Sequence, residues 1–179
     1  DNGLENIRLF RELTLYYGIE SKLGRWKIKG YAGMFPRYFS EADYSKAFYS
    51  DSLRFYDNNL EGALIKALGP KSFFEFSFDW NGKFGQDRRE QFIVASYGRH
   101  DFTDWFSLGY ALKYHHYAKT ANYGSVVDDG LLQPFARFGF EHFAGIQDLS
   151  LTLSWYQAFQ SDRRLENGGR TPGGAEIGI

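Results

Sequence analysis

The segment Phe74-Glu75-Phe76-Ser77-Phe78-Asp79-Trp80 alternates aromatic residues strictly with polar or acidic ones. Because successive side chains of a β-strand point to opposite faces, this segment predicts a strand with one aromatic face and one polar face. The apolar partner of the aromatic face is either a protein core or lipid, and the functional interpretation depends on which of the two it is.

The composition predicts an all-β protein. The 179 residues include 18 Phe, 13 Tyr, 4 Trp and 20 Gly, with one Met and no Cys. Aromatic residues favour strands, and glycine favours turns. The absence of cysteine excludes disulfides, thiolate metal sites and a cysteine nucleophile. A formal net charge of −1 offers no basic field for nucleic acid. No stretch has the roughly 18 to 20 apolar residues of a membrane-spanning helix.

Period-two alternation recurs along the chain and predicts an antiparallel up-and-down meander of about eight strands. The predicted strands cover residues 13–20, 26–35, 60–68, 73–83, 91–98, 106–115, 132–141 and 149–156. The third has the weakest pattern and also fits a helical turn, while residues 175–179 resemble the opening of another strand. Short turns alternate with longer polar loops, an asymmetry typical of outer-membrane barrels.

From Leu13 to Tyr156 the architecture resembles a Gram-negative outer-membrane β-barrel protein, as do the segments 48–57 and 79–90. Single-chain barrels of this class begin and end in the periplasm, on the side of the short turns. The resemblance therefore implies at least one further strand at each end of the eight. Residues 1–179 are interpreted as a single β-barrel domain, incomplete at both ends, within a transmembrane barrel of ten or more strands. The bilayer and lipopolysaccharide are the implied partners, with no cofactor.

In a barrel, the polar face of each strand lines the interior. Charges of both signs can hydrate a channel there, or close it through ion pairs. Structural ion pairing is the more ordinary role, because buried charges need partners. The predicted interior residues are Glu20, Lys27, Lys29, Glu75, Asp79, Lys113, Arg137 and Glu141.

Aromatic residues near the ends of predicted strands suit the girdles that lie at headgroup level in membrane barrels. The four tryptophans assigned to this role are Trp26, Trp80, Trp105 and Trp155. Tyr44, Tyr49 and Tyr56 lie in a polar loop instead, where core packing explains them poorly. Together with Asp57-Asn58-Asn59 they fit carbohydrate binding.

No catalytic or metal site is predicted. His115 and His116 are adjacent and face opposite sides of one strand, and no histidine pair has a metal-like spacing. Ser107 and His115 share a strand face but lie about 25 Å apart along it, too far for a nucleophile and its base.

Three functions remain open from the sequence. The first is an outer-membrane β-barrel that acts as a porin-like channel or exporter for small solutes or polysaccharide, without a catalytic step. The alternative is a soluble β-sandwich or barrel that binds carbohydrate. A minor alternative is an outer-membrane hydrolase that modifies lipid.

Overall fold

The computed structural model is one antiparallel sheet, which confirms the predicted all-β meander. It describes residues 14–49, 57–82, 88–120, 122, 124–143, 146–165 and 169–179, except for the side chains of residues 141–143, 146 and 148. Within these residues no helix is long and apolar enough to cross a membrane. The strands are β1 Leu15–Leu23, β2 Trp26–Pro36, β3 Asn59–Leu68, β4 Ser72–Gly82, β5 Gln91–Asp101, β6 Phe106–Tyr117, β7 Val127–Phe143, β8 Ile146–Asp162, β9 Gly169–Arg170 and β10 Gly173–Gly178.

Each strand from β1 to β8 pairs with the next along the chain, and both β9 and β10 pair with β8. Among the strands that the structure describes, β1 and β10 form the two edges, and the sheet is not closed. In the described part of the chain β1 pairs only with β2. Among the described strands β1 and β8 are not paired, so the eight predicted strands do not close a barrel by themselves. Closure by further strands stays a prediction.

The connections are sorted by length between the two ends of the sheet, as the sequence predicts. At one end, here called the turn end, short connections join β1 to β2, β3 to β4, β5 to β6 and β7 to β8. At the opposite end, here called the loop end, longer connections join β2 to β3, β4 to β5, β6 to β7 and β8 to β10. Gly24 makes the first turn with a φ of 60°, a left-handed conformation that glycine adopts without strain.

Several strands differ from the sequence prediction in extent. Residues 59–68 form a regular strand and not a helical turn. β7 and β8 each have 17 residues, because their ladder continues to the pair Val127 and Asp162. Polar residues such as Asp128 and Ser161 interrupt the hydrophobic alternation there and resemble a loop in sequence. Backbone pairing does not require that alternation, so the strands extend further. The short β9 was not predicted, whereas β10 matches the predicted opening of another strand.

The facing predicted for the diagnostic segment is confirmed. Phe74 and Phe76 are each 39% exposed, whereas Glu75 and Asp79 are 0% and 3% exposed on the opposite face. In β8 the same alternation holds, because Leu151 pairs with an aromatic residue of β7 and Thr152 pairs with a charged one. We call these two sides the apolar face and the polar face. The apolar face is the exposed one, which is the reverse of a sheet in a water-soluble domain.

Candidate functional site

A segment that follows β2 covers the polar face of the sheet. We call residues 37–49 the inserted loop; it begins with the one-turn 3-10 helix Arg37–Phe39. Its aromatic side chains pack against small and aromatic residues of β5 and β6. The buried cluster consists of Tyr44, Phe48 and Tyr49 from the loop with Ala95, Tyr97 and Ala111 from the sheet. The loop therefore supplies the apolar contacts that bury a polar sheet surface.

Lys66, in the middle of β3, is only 1% exposed and is held by the inserted loop. Its Nζ donates hydrogen bonds to the carbonyl of Phe39 at 2.6 Å and to Glu41 Oε1 at 2.5 Å. Lys29 lies 3.5 Å from the same carboxylate oxygen. The hydrogen bond from Lys66 lowers the pKa of Glu41, although partial burial opposes this change. A lysine that is desolvated on the sheet thus finds its countercharge on the loop.

Glu75 pairs with Lys66 across the β3–β4 ladder and is also fully buried. Its carboxylate accepts a hydrogen bond from Ser40 Oγ at 2.5 Å and another from the backbone N–H of Glu41 at 2.9 Å. Both donors belong to the inserted loop. The buried carboxylate is therefore satisfied only while the loop stays on the sheet.

Arg37 forms the third attachment, near the loop end of the sheet. One guanidinium nitrogen lies 2.7 Å from Asp79 Oδ2 and the other lies 2.7 Å from Asp57 Oδ2. It also donates to the backbone carbonyls of Asp57 and Asn59. Asp79 accepts a further bond from the N–H of Glu61 through its other oxygen. Arg37 therefore joins both ends of the β2–β3 connection to the wall of the sheet.

Two further contacts hold the distal half of the inserted loop. Lys113 Nζ donates to the carbonyl of Phe48 at 2.8 Å, and it lies over the ring of Tyr49. On the other side, Tyr156 donates a hydrogen bond of 3.0 Å to Ser45 Oγ. Burial raises the pKa of Tyr49 to about 12, so its hydroxyl stays protonated at neutral pH. Strands β3 to β8 thus all contact the loop or face it.

Two cavities remain on the polar face, and the second of them is also lined by residues of the inserted loop. One of about 450 Å³ lies at the turn end and includes Lys71, Arg99 and Arg137 in its wall. A second, of about 300 Å³, shares both arginines and is lined further by Ser154 and Glu176. The two cavities therefore meet at the arginine pair, and their walls are polar.

The structure brings together four of the predicted interior residues and leaves others apart. Lys29, Glu75, Asp79 and Lys113 all contact the inserted loop. Glu20 and Lys27 instead form an exposed ion pair of 2.8 Å beside the first turn. Arg137 is exposed in the wall of both cavities. The side chain of Glu141 lies outside the described part of the chain.

Sequence reasoning missed Lys66 and Arg37. Lys66 lies two residues after Leu64, on the same face of β3, and pairs with Glu75 of β4, so alternation along β3 is the signal that could have found it. The alternation of this strand is weak, so Lys66 is not among the predicted interior residues. Arg37 follows the proline that ends β2 and lies in an irregular connection, where no periodic pattern shows which face a side chain will meet.

The four tryptophans assigned to an interfacial girdle are all exposed. Trp26 and Trp105 lie at the turn end, and Trp80 lies near the loop end. Trp155 is well inside β8, because that strand continues to Asp162. The expectation that it lies near a strand end is therefore wrong, while the girdle itself stays a prediction.

Among the histidines, His100 makes an exposed cross-strand contact in which its Nδ1 lies 2.7 Å from Ser72 Oγ. Hydrolysis by such a pair needs a third group to orient the imidazole, and no such bond to His100 is found in the described residues. His116 Nδ1 lies 2.7 Å from Asp128. The described residues contain no cluster of three or more metal-binding side chains. His142 has a side chain outside the described part.

Comparison with protein-family models, with curated proteins and with solved structures finds no match to this chain.

Proposed function

We propose that this chain forms wall strands of an outer-membrane β-barrel that conducts small solutes, with the inserted loop narrowing the interior, and that it catalyses no reaction. The observation that carries the proposal is the inverted polarity of the sheet. Within β4, Glu75 is fully buried while the neighbouring Phe74 and Phe76 are each 39% exposed. Lipid on the aromatic side and a polar interior on the other side account for both facts.

The exposed apolar face extends across the whole sheet. Large apolar side chains that are more than a third exposed occur on seven of its strands: Tyr17, Ile19, Ile65, Phe74, Phe76, Leu108, Leu132, Phe140, Leu153, Trp155 and Ile177. Water-soluble proteins rarely expose such a continuous apolar surface. A soluble carbohydrate-binding module would need another layer over this face, and the described residues supply none. The bilayer and its lipopolysaccharide leaflet are the proposed partners.

The inserted loop favours the proposal of a narrowed channel and disfavours an unobstructed pore. Three charged residues of the sheet hold the loop, and each of them has a partner on it. These residues are Lys66, Glu75 and Asp79. The cavities that share Arg99 and Arg137 leave polar space beside it. Such space suits water, ions and small solutes more than a bulky polymer.

The proposal is tested by the conductance of the full-length natural protein in planar lipid bilayers. We expect discrete channel openings, and we expect Arg37→Met to increase their conductance by releasing the loop from Asp79. Arg25→Met is the matched control, since it removes an exposed arginine at the turn end. If the protein is folded in detergent, as shown by heat-modifiable migration, and gives no openings, the proposal of a channel is contradicted. A conductance that is unchanged by Arg37→Met in folded protein contradicts the role of the loop.

A further inference from the structure

A third cavity, of about 670 Å³, lies between the inserted loop and the loop end of β2 and β3. Its volume is in the range of pockets that hold small organic ligands. The described wall combines tyrosine rings with amide, hydroxyl and carboxylate groups. Those wall residues include Tyr38, Tyr49, Asn58, Ser40, Glu41 and Asp43.

Tyr38 gives this cavity an exposed aromatic rim. Its side chain is 79% exposed, and its ring meets that of Phe39 edge-to-face with the centroids 5.3 Å apart. An aromatic ring that stays in solvent beside a cavity has a π-face free for a ligand. The negative face of such a ring attracts the weakly positive C–H groups of a sugar ring.

The charges of the wall disfavour an anionic ligand. The guanidinium of Arg37 is already bound by Asp57 and Asp79, so it presents no unneutralised positive charge to the cavity. Glu41 uses Oε1 for both of its lysine partners, and Asp43 is exposed. Carboxylate and amide groups in such a wall accept hydrogen bonds from hydroxyl groups, and amides also donate them.

We infer that this cavity binds a neutral carbohydrate, with Tyr38 stacking on a sugar ring and Glu41, Asp43 and Asn58 contacting its hydroxyl groups. The cavity opens at the loop end, which is the cell-surface side in the proposed topology. The inference names the solute class for the proposed channel, and it rests on that proposal only for the route by which the sugar would arrive.

The test is calorimetric titration of the folded full-length protein in detergent. The neutral probes are maltohexaose, cellohexaose and xylohexaose, and the charged probes are hexagalacturonate and chitosan hexamer. We expect at least one neutral probe to bind with a Kd of about 1 mM or lower, and more tightly than either charged probe. Tyr38→Ala should weaken that binding about tenfold or more, which corresponds to 1.4 kcal/mol, while Tyr38→Phe retains it. Trp105→Ala removes an exposed aromatic residue of the turn end and should leave the affinity unchanged.

Failure of all neutral probes, preference for a charged probe, or equal binding by Tyr38→Ala overturns the inference. These outcomes are separable from failure of the channel. Openings in bilayers without sugar binding retain the proposed function and reject the carbohydrate site. Sugar binding that depends on Tyr38, in a protein without openings, retains the site and rejects the channel.

Discussion

The two faces of this sheet differ in which residues they bury: one buries charged residues, and the other leaves large apolar residues exposed. On the polar face, Lys66, Glu75 and Asp79 are almost fully buried, and partners from the β2–β3 connection or the sheet satisfy each of them. On the apolar face, Phe76 and Leu153 lie open to the surroundings. A water-soluble sheet would bury the second set and expose the first. The difference shows that this fold buries charged residues on its polar face and leaves its apolar face exposed, and it predicts where substitutions will be most damaging.

The largest expected effect comes from the polar face. Arg37→Met leaves Asp79 buried without its cationic partner, and loss of one member of a buried ion pair costs about 3–5 kcal/mol. The measurement is equilibrium unfolding by denaturant in detergent micelles. Arg25→Met should change the unfolding free energy little, because that side chain is exposed. Similar decreases in the unfolding free energy of the two variants would show that the ion pair of Arg37 with Asp79 does not stabilise the fold.

Next in size is a charge placed on the apolar face. Phe76→Arg and Leu153→Arg should each cost about 2–4 kcal/mol if these positions face the middle of a bilayer. Ser154→Arg is the matched control on the polar face, where Ser154 lies opposite Glu176 in the ladder and lines a polar cavity. Unfolding of the three variants in lipid vesicles measures the difference. Comparable costs at Leu153 and Ser154 would remove the distinction between the faces.

A smaller effect is expected from pH through Glu41. Its pKa is lowered in the folded state from an ordinary value of 4.5, mainly by the hydrogen bond from Lys66. A lowered pKa means that its contribution to stability is complete above the ordinary value and is lost as the pH falls through the lowered one. Near-ultraviolet circular dichroism between pH 7 and pH 2 should report loosening of the loop tyrosines below about pH 4.5.

Glu41→Gln supplies the comparison for this pH effect. The amide of this variant carries no negative charge, so Lys66 should hold the loop only weakly at pH 7. Lowering the pH should then cause no further loosening at this position. An identical acid transition in the wild type and in Glu41→Gln would assign the pH dependence to other carboxylates.

The smallest effect belongs to the exposed ion pair of Glu20 and Lys27. Exposed pairs contribute little to stability, because water and salt screen them. Glu20→Gln should leave the unfolding midpoint and the channel conductance unchanged within error. A marked decrease in either quantity would place this first hairpin in a covered environment that the structure does not show.

Local alternation predicted much of this fold. The strict pattern from Phe74 to Trp80 was sufficient for the facing of β4, because the side-chain period of a strand does not depend on the rest of the chain. The sorting of turns and loops followed from Gly24 and from the polar stretches between strands. These features depend on a few neighbouring residues, so they can be predicted from a short stretch of sequence.

The covering of the polar face could not be predicted in the same way. Contacts such as Ser40 with Glu75 and Ser45 with Tyr156 join residues that are far apart in the chain. They depend on how an irregular segment folds back, and no periodic signal reports that. The expectation that core packing explains Tyr44 and Tyr49 poorly is wrong, because both are buried and Tyr44 packs edge-to-face against Tyr97. Tyr56 lies outside the described part of the chain.

The central claim is that the apolar face meets lipid while the polar face does not. The chain has no cysteine, so Phe76→Cys and Ser154→Cys each give a single position for an environment-sensitive fluorophore. In lipid vesicles, a quencher attached to the lipid chains should reduce the signal at position 76 strongly and the signal at position 154 little. Equal quenching at both positions, or stronger quenching of position 76 by aqueous iodide, would contradict the claim.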